Sequence, residues 1–146
     1  VPDRPLTTEE LYQVKPRYLD EELIETPSLA LDRVRLEALQ IGERVHEMLE
    51  LMMPAILAGD QDGIRKAAAI GDQVDQLYAY IVEYLGKVSQ HPLTSTQTAE
   101  LLHLMEAIND LENIGDVIET DLAVSGMKLI EHGVTISQPT REVFTG

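Results

Sequence analysis

Five carboxylates offer most of the chemistry in this sequence. Glu112, Asp116 and Glu119 stand at i, i+4 and i+7, a spacing that places them in one stripe on a helix. Asp72 and Asp75 lie on an earlier stretch of helical pattern. A cluster of carboxylate oxygens suits hard cations such as Mg²⁺, Ca²⁺, Mn²⁺ or iron. Gathered with no counter-charge, the same groups raise one another's pKa and destabilise the fold, so the layer calls for a cation, a basic side chain or water. Arg44 is the basic candidate, able to neutralise a carboxylate bidentately. The plainer reading of so many acids is solubility.

Other chemistries are poorly supported. With no cysteine, disulfides, thiolate metal sites and cysteine nucleophiles are excluded. There is no P-loop, GxGxxG or GxSxG, so the sequence points away from an enzyme. Glu43-x-x-His46 and Glu100-x-x-His103 both fit the Glu-x-x-His of carboxylate-bridged di-metal proteins. Counted from their helix starts, however, the pairs fall about ten residues, roughly 15 Å, out of level. The formal charge of −15 opposes nucleic acid, whose recognition rests on Lys and Arg against phosphate. No run approaches the ~20 apolar residues of a membrane span.

The elements that must position the acids are helices. The 44% apolar content is built from Leu, Ile, Val, Ala and Met, with one Phe and no Trp, and favours an all-α fold. Residues 1–27 hold four of the seven prolines and read as an extended N-terminal segment, with one helical turn near Asp20–Ile24, packed along the outside. Thr26 offers an N-cap oxygen and Pro27 the first helical position.

Three apolar seams spaced alternately three and four follow. The first runs Leu31, Val34, Ala38, Ile41, Val45, Met48, Met52, and the second Ile64, Ala67, Gly71, Val74, Tyr78, Ile81, Leu85, Val88. The third runs Leu101, Leu104, Ile108, Leu111, Gly115, Ile118, Leu122, Ser125, Leu129. "AGDQDG" separates the first two helices and "TSTQ" caps the third. Short connections make antiparallel neighbours, so the expected fold is an up-down-up three-helix bundle over 28–133. Residues 134–146 read as a linker and the truncated start of a next helix in a longer protein.

Level counting across the turns sets Glu112 against Gly71 and Asp72, and Asp75 against Arg44, near Glu43, His46 and Glu47. One layer would then draw acids from all three helices. Gly115 in the third seam implies a close neighbour, either a packed helix or a ligand.

"LENIGDVIE" (111–119) resembles the acidic signature of PhoU-like proteins, and "GDQVDQLYAYIVEYL" (71–85) resembles their second-helix signature. "YLDEELIETPSLALDRVRLEALQIGERVHEML" (18–49) resembles the lead-in and first helix of the PhoU-like domain of bacterial Na⁺/phosphate cotransporter family proteins. The resemblance implies the first half of a tandem pair of three-helix bundles. It also implies a non-enzymatic regulatory module at the cytoplasmic face of the inner membrane, modulating sodium-coupled phosphate uptake. Its implied partners are the membrane domain of the same transporter and the second helical bundle. Without that bundle an exposed apolar flank is expected to make the chain a homo-oligomer.

A freestanding PhoU-type phosphate-signalling regulator is the alternative, and a di-metal oxidase a second. The family's paired acidic motifs can bind iron or zinc clusters, which nominates Asp75, Glu112 and Asp116, with Asp72 and Glu119 adjoining, for iron, zinc or another divalent cation. Where the second-helix motif has its first acid this sequence has Gly71, with Asp72 beside it as a differently aimed substitute.

Overall fold

A computed structural model describes residues 14–133. Among them the regular structure is helical throughout: a 3₁₀ turn at Glu21–Leu23, α1 at Pro27–Ala58, α2 at Gln61–Val88 and α3 at Ser95–Asp116. A π-helical turn, Val117–Leu122, then leads without a break into α4, Ala123–Glu131. α3, the π turn and α4 make one long third helix, giving the expected up-down-up bundle. The expected linker and helix start at 134–146 fall outside the described residues.

Local chemistry explains each boundary. α1 stops where Gly59 takes φ 69°, the left-handed conformation that glycine adopts without a Cβ penalty, and its N–H closes onto Ala55 and Ile56 carbonyls. Asp60 then opens α2 by accepting from the Gly63 N–H at 3.0 Å. Thr94 and Gln97 form the full reciprocal capping box that starts α3. Thr26 does occupy the cap position of α1 with Pro27 next to it, but its side chain makes no capping bond.

The described N-terminal segment is tied across α1 and α2. The Val14 N–H donates to Gln76 Oε1 and the Tyr18 N–H to Glu37 Oε1, each at 3.0 Å, while the Tyr84 hydroxyl donates to the Asp20 carbonyl at 2.8 Å. Glu37 is fully buried, and it is satisfied there by the Tyr18 N–H and by Gln40 Nε2 at 2.5 Å. Spacing alone gave no sign that this acid would serve as an anchor inside the fold.

All seven predicted seam residues of α1 are buried, as are those of α2 apart from half-buried Tyr78. Each fully buried Leu, Ile or Met among them stabilises the fold by about 1.5–3 kcal/mol relative to exposure. The third seam holds through Ile118 and then departs from expectation. Ser125 and Leu129 are exposed, and Ala123 and Gly126 are buried instead.

The π turn is the cause: its wider i→i+5 winding accommodates one extra residue, so every later position is rotated to its neighbour. Gly126 holds this register. A Cβ there would lie 2.6 Å from Ile56 Cγ1, so α4 approaches α1 this closely only with glycine at the crossing. A one-residue slip would put the Ser125 side chain in that place.

Candidate metal centre

α2 and the third helix bring Asp75, Glu112 and Asp116 together, with one oxygen from each lying within 4.8 Å of the others. Asp75 and Asp116 are exposed at the mouth, whereas Glu112 is half-buried. Its Oε2 is shut off from solvent and has no hydrogen-bond partner. A buried carboxylate oxygen with no donor is costly unless something else satisfies it.

Burial pushes the Glu112 carboxyl up to about 8. A hydrogen bond with Asp75, available only while a proton is present, adds to the rise, as do the charges of Asp75, Asp116 and Glu119. Glu119 moves in the same direction, first through burial and then through Asp75, Asp72 and Asp116.

The level count needs correction. Glu112 meets Asp75, about one turn from the expected Gly71 and Asp72. Gly71 faces Glu119 instead: a Cβ at 71 would lie 2.5 Å from Glu119 Oε2. The connection from Ser89 to Thr94 is not symmetric about its midpoint, since it begins as a helical turn and ends with extended Thr94. The π turn then adds its extra residue. Asp72 is exposed and acts on the group through its charge on Glu119. Gly115, open to either reading from sequence, is a packing contact, its Cβ position 3.5 Å from Val74 Cγ1 and 3.8 Å from Val45 Cγ2.

α1 does not join the acidic layer. Arg44 pairs with its own neighbour Glu47 at 3.1 Å, and His46 lies 3.3 Å from Glu50. The charges acting on Glu112 and Glu119 are all carboxylates, so Arg44 is not the expected neutralising partner. The layer is made by two helices.

The two Glu-x-x-His pairs do not meet either. Glu100 pairs with Arg35, about two turns before Glu43 on α1, and His46 and His103 are both exposed. The donor set that remains is all oxygen, with a buried oxygen awaiting a partner, and that chemistry fits a hard divalent cation held by Asp75, Glu112 and Asp116.

Along the edge between α1 and the third helix lies an apolar notch lined by Leu49, Asn113, Ile114, Val117 and Ile118. Ile114 and Val117 are about half exposed, at 50% and 51%. No helix among the described residues is long and apolar enough to cross a membrane.

Comparison with known proteins places the chain. The family described as PhoU domain matches residues 38–120, a span that encloses all five acids. The chain is 26% identical over 107 residues to YjbB of Escherichia coli K12, provisionally named an inorganic phosphate export protein; the match covers 73% of this chain and 20% of that protein. YjbB of Salmonella typhimurium, with the same name, is 28% identical over 106 residues, covering 73% of this chain and 19% of its own. The chain therefore spans about a fifth of the length of the curated relatives it matches. No solved structure matches it.

Proposed function

The chain belongs to the PhoU domain family, and from that premise we propose that it is a non-enzymatic regulatory domain of a sodium-dependent phosphate transporter, modulating phosphate movement from the cytoplasmic face of the inner membrane. The observation that carries this reading is the family match over 38–120, which coincides with the gathered acids. The name of the relatives, an inorganic phosphate export protein, supports the transporter context.

In this reading Asp75, Glu112 and Asp116 hold iron, zinc or another divalent cation, with Asp72 and Glu119 alongside. The cation neutralises the carboxylates and so fixes α2 against the third helix. The acidic groove thereby becomes a two-condition element, proton-bearing at Glu112 when empty and bridged by the cation when loaded. The membrane part of the transporter is the proposed recipient of that change.

The test is phosphate flux into membrane vesicles carrying the whole transporter, with Asp75→Asn, Glu112→Gln and Asp116→Asn together. Flux that no longer responds to divalent cation, at unchanged protein level, is the expected result. Flux regulated as in the unaltered protein would overturn the reading.

The apolar notch is assigned to a second helical bundle. For this chain alone a second copy is expected to cover the half-exposed Ile114 and Val117. Sedimentation is expected to show a dimer that Ile114→Ser with Val117→Ser dissociates, and a monomer at high concentration would contradict it.

A further inference from the structure

We infer that residues 14–24 form a releasable strap, which lifts off α1 and α2 as a unit while the bundle beneath it stays folded. The inference concerns the α1/α2 edge and is independent of the acidic group between α2 and the third helix.

The surface that the strap covers is polar. Glu37, fully buried, accepts from the Tyr18 N–H, and Gln76 accepts from the Val14 N–H. Gln40 donates to Glu37 and is only 4% exposed, yet its Oε1 has no hydrogen-bond partner. Arg44, one turn further along the same face of α1, has a buried Nε that is equally unpartnered. Lifting the strap admits water to this row, so two polar atoms gain partners and a buried carboxylate regains hydration.

The loss on release is small by comparison. Among residues 14–24 only Ile24 is buried, and the apolar seams of the three helices do not include the strap. A cavity of about 350 Å³ separates Pro16 and Leu19 from Tyr80 and Glu83 of α2, so the two surfaces are not close-packed there. The ties themselves are bonds that water replaces: the two main-chain amides, the Tyr84 hydroxyl on the Asp20 carbonyl, and the exposed ion pair of Lys87 with Glu21. Few buried apolar contacts and solvent-replaceable hydrogen bonds are the marks of a segment that opens below the free energy of global unfolding. The strap is thus a part of the domain that responds to a load or a partner without disturbing the helices that hold the acids.

Residue-resolved hydrogen exchange of the intact chain at low denaturant tests this. The Val14 and Tyr18 amides are expected to exchange about 100-fold or more faster than those of Ile41 and Leu77, with little dependence on denaturant, because strap opening exposes little surface. Gln76→Ala removes the acceptor of the Val14 N–H. In a strap that moves as a unit it should speed Tyr18 as much as Val14, roughly five- to tenfold, and leave Ile41 unchanged. Strap amides that exchange at the rate and denaturant dependence of Ile41 and Leu77 would overturn the inference, since the strap would then leave only when the bundle unfolds. Acceleration confined to Val14 in Gln76→Ala would also overturn it, by showing that the segment does not open as one piece.

Discussion

Replacing Glu112 and Asp116 together with alanine is expected to abolish the rise in melting temperature produced by Mn²⁺ while leaving the metal-free protein at least as stable as before. The two halves of this result have different causes. In the metal-free fold Glu112 stands beside Asp75 and Asp116 with no basic group among the charges acting on it, so removing two carboxylates thins a crowd of acids and disposes of the unpartnered Oε2. In the proposed loaded fold each would be a ligand, and losing a charged interaction of this kind costs about 1.5–3 kcal/mol, so affinity should fall by roughly 10²–10⁴-fold for the pair. Because a ligand that binds only the native state stabilises it by mass action, melts at fixed Mn²⁺ read this loss directly. A double variant whose melting temperature still rises with Mn²⁺ as in the unaltered chain would show that these residues are not the ligands.

Raising the pH from about 5 to 9 is expected to destabilise the metal-free protein, and to do so less in Glu112→Gln. The folded Glu112 carboxyl is raised from 4.5 to about 8, so across that interval the native state holds a proton that the unfolded chain has released. A group raised in this way contributes stability that is fully present below its unfolded value and is lost as pH rises through the folded one. Glu119 is shifted in the same direction and adds to the trend. The groups that set it come from both packed helices, Asp72 and Asp75 from α2 and Asp116 from the third helix.

Divalent cation should reverse the slope below about pH 8, since it competes with the proton for the same oxygens and binds more tightly as the proton leaves. Melts at pH 5.5, 7.0 and 8.5, with and without Mn²⁺, check both signs. Metal-free stability that climbs steadily over this range would contradict the shift. General charge repulsion at −15 also grows with pH, and Glu112→Gln separates the two contributions.

Most of the fold was legible in the sequence because helical bundles announce themselves through spacing. The first two seams were read almost residue for residue, and the capping box at Thr94 and the stop at Gly59 follow from side-chain and backbone chemistry confined to a few neighbours. What escaped depends on events that spacing does not encode. The π turn has no strong local signature, and Leu122, Ser125 and Leu129 continue the 3.6-residue pattern well enough to hide it. The register it sets brings Gly126 against Ile56, a tertiary contact visible only once α1 and α4 are placed together.

The acidic group was legible in its membership but not in its pairing. The family resemblance nominates Asp75, Glu112 and Asp116, which the fold brings together, yet level counting matched Glu112 to Gly71 because it treated the connection after α2 as symmetric. Arg44 looked like the natural counter-charge by level, and was instead taken by Glu47 one turn along its own helix. Glu37 was missed for the opposite reason, since an acid on a helix is ordinarily solvated and nothing nearby in sequence shows that the Tyr18 N–H will need it.

The most direct test of the cation site is calorimetric titration of Mn²⁺ into the metal-stripped chain near pH 7, repeated in two buffers of different ionisation enthalpy. Saturable binding accompanied by proton release, because the ion displaces the proton held between Glu112 and Asp75, is the result predicted here. A folded chain that takes up no Mn²⁺ at millimolar concentration would contradict it, and would leave the clustered acids as a repulsive surface rather than a metal centre.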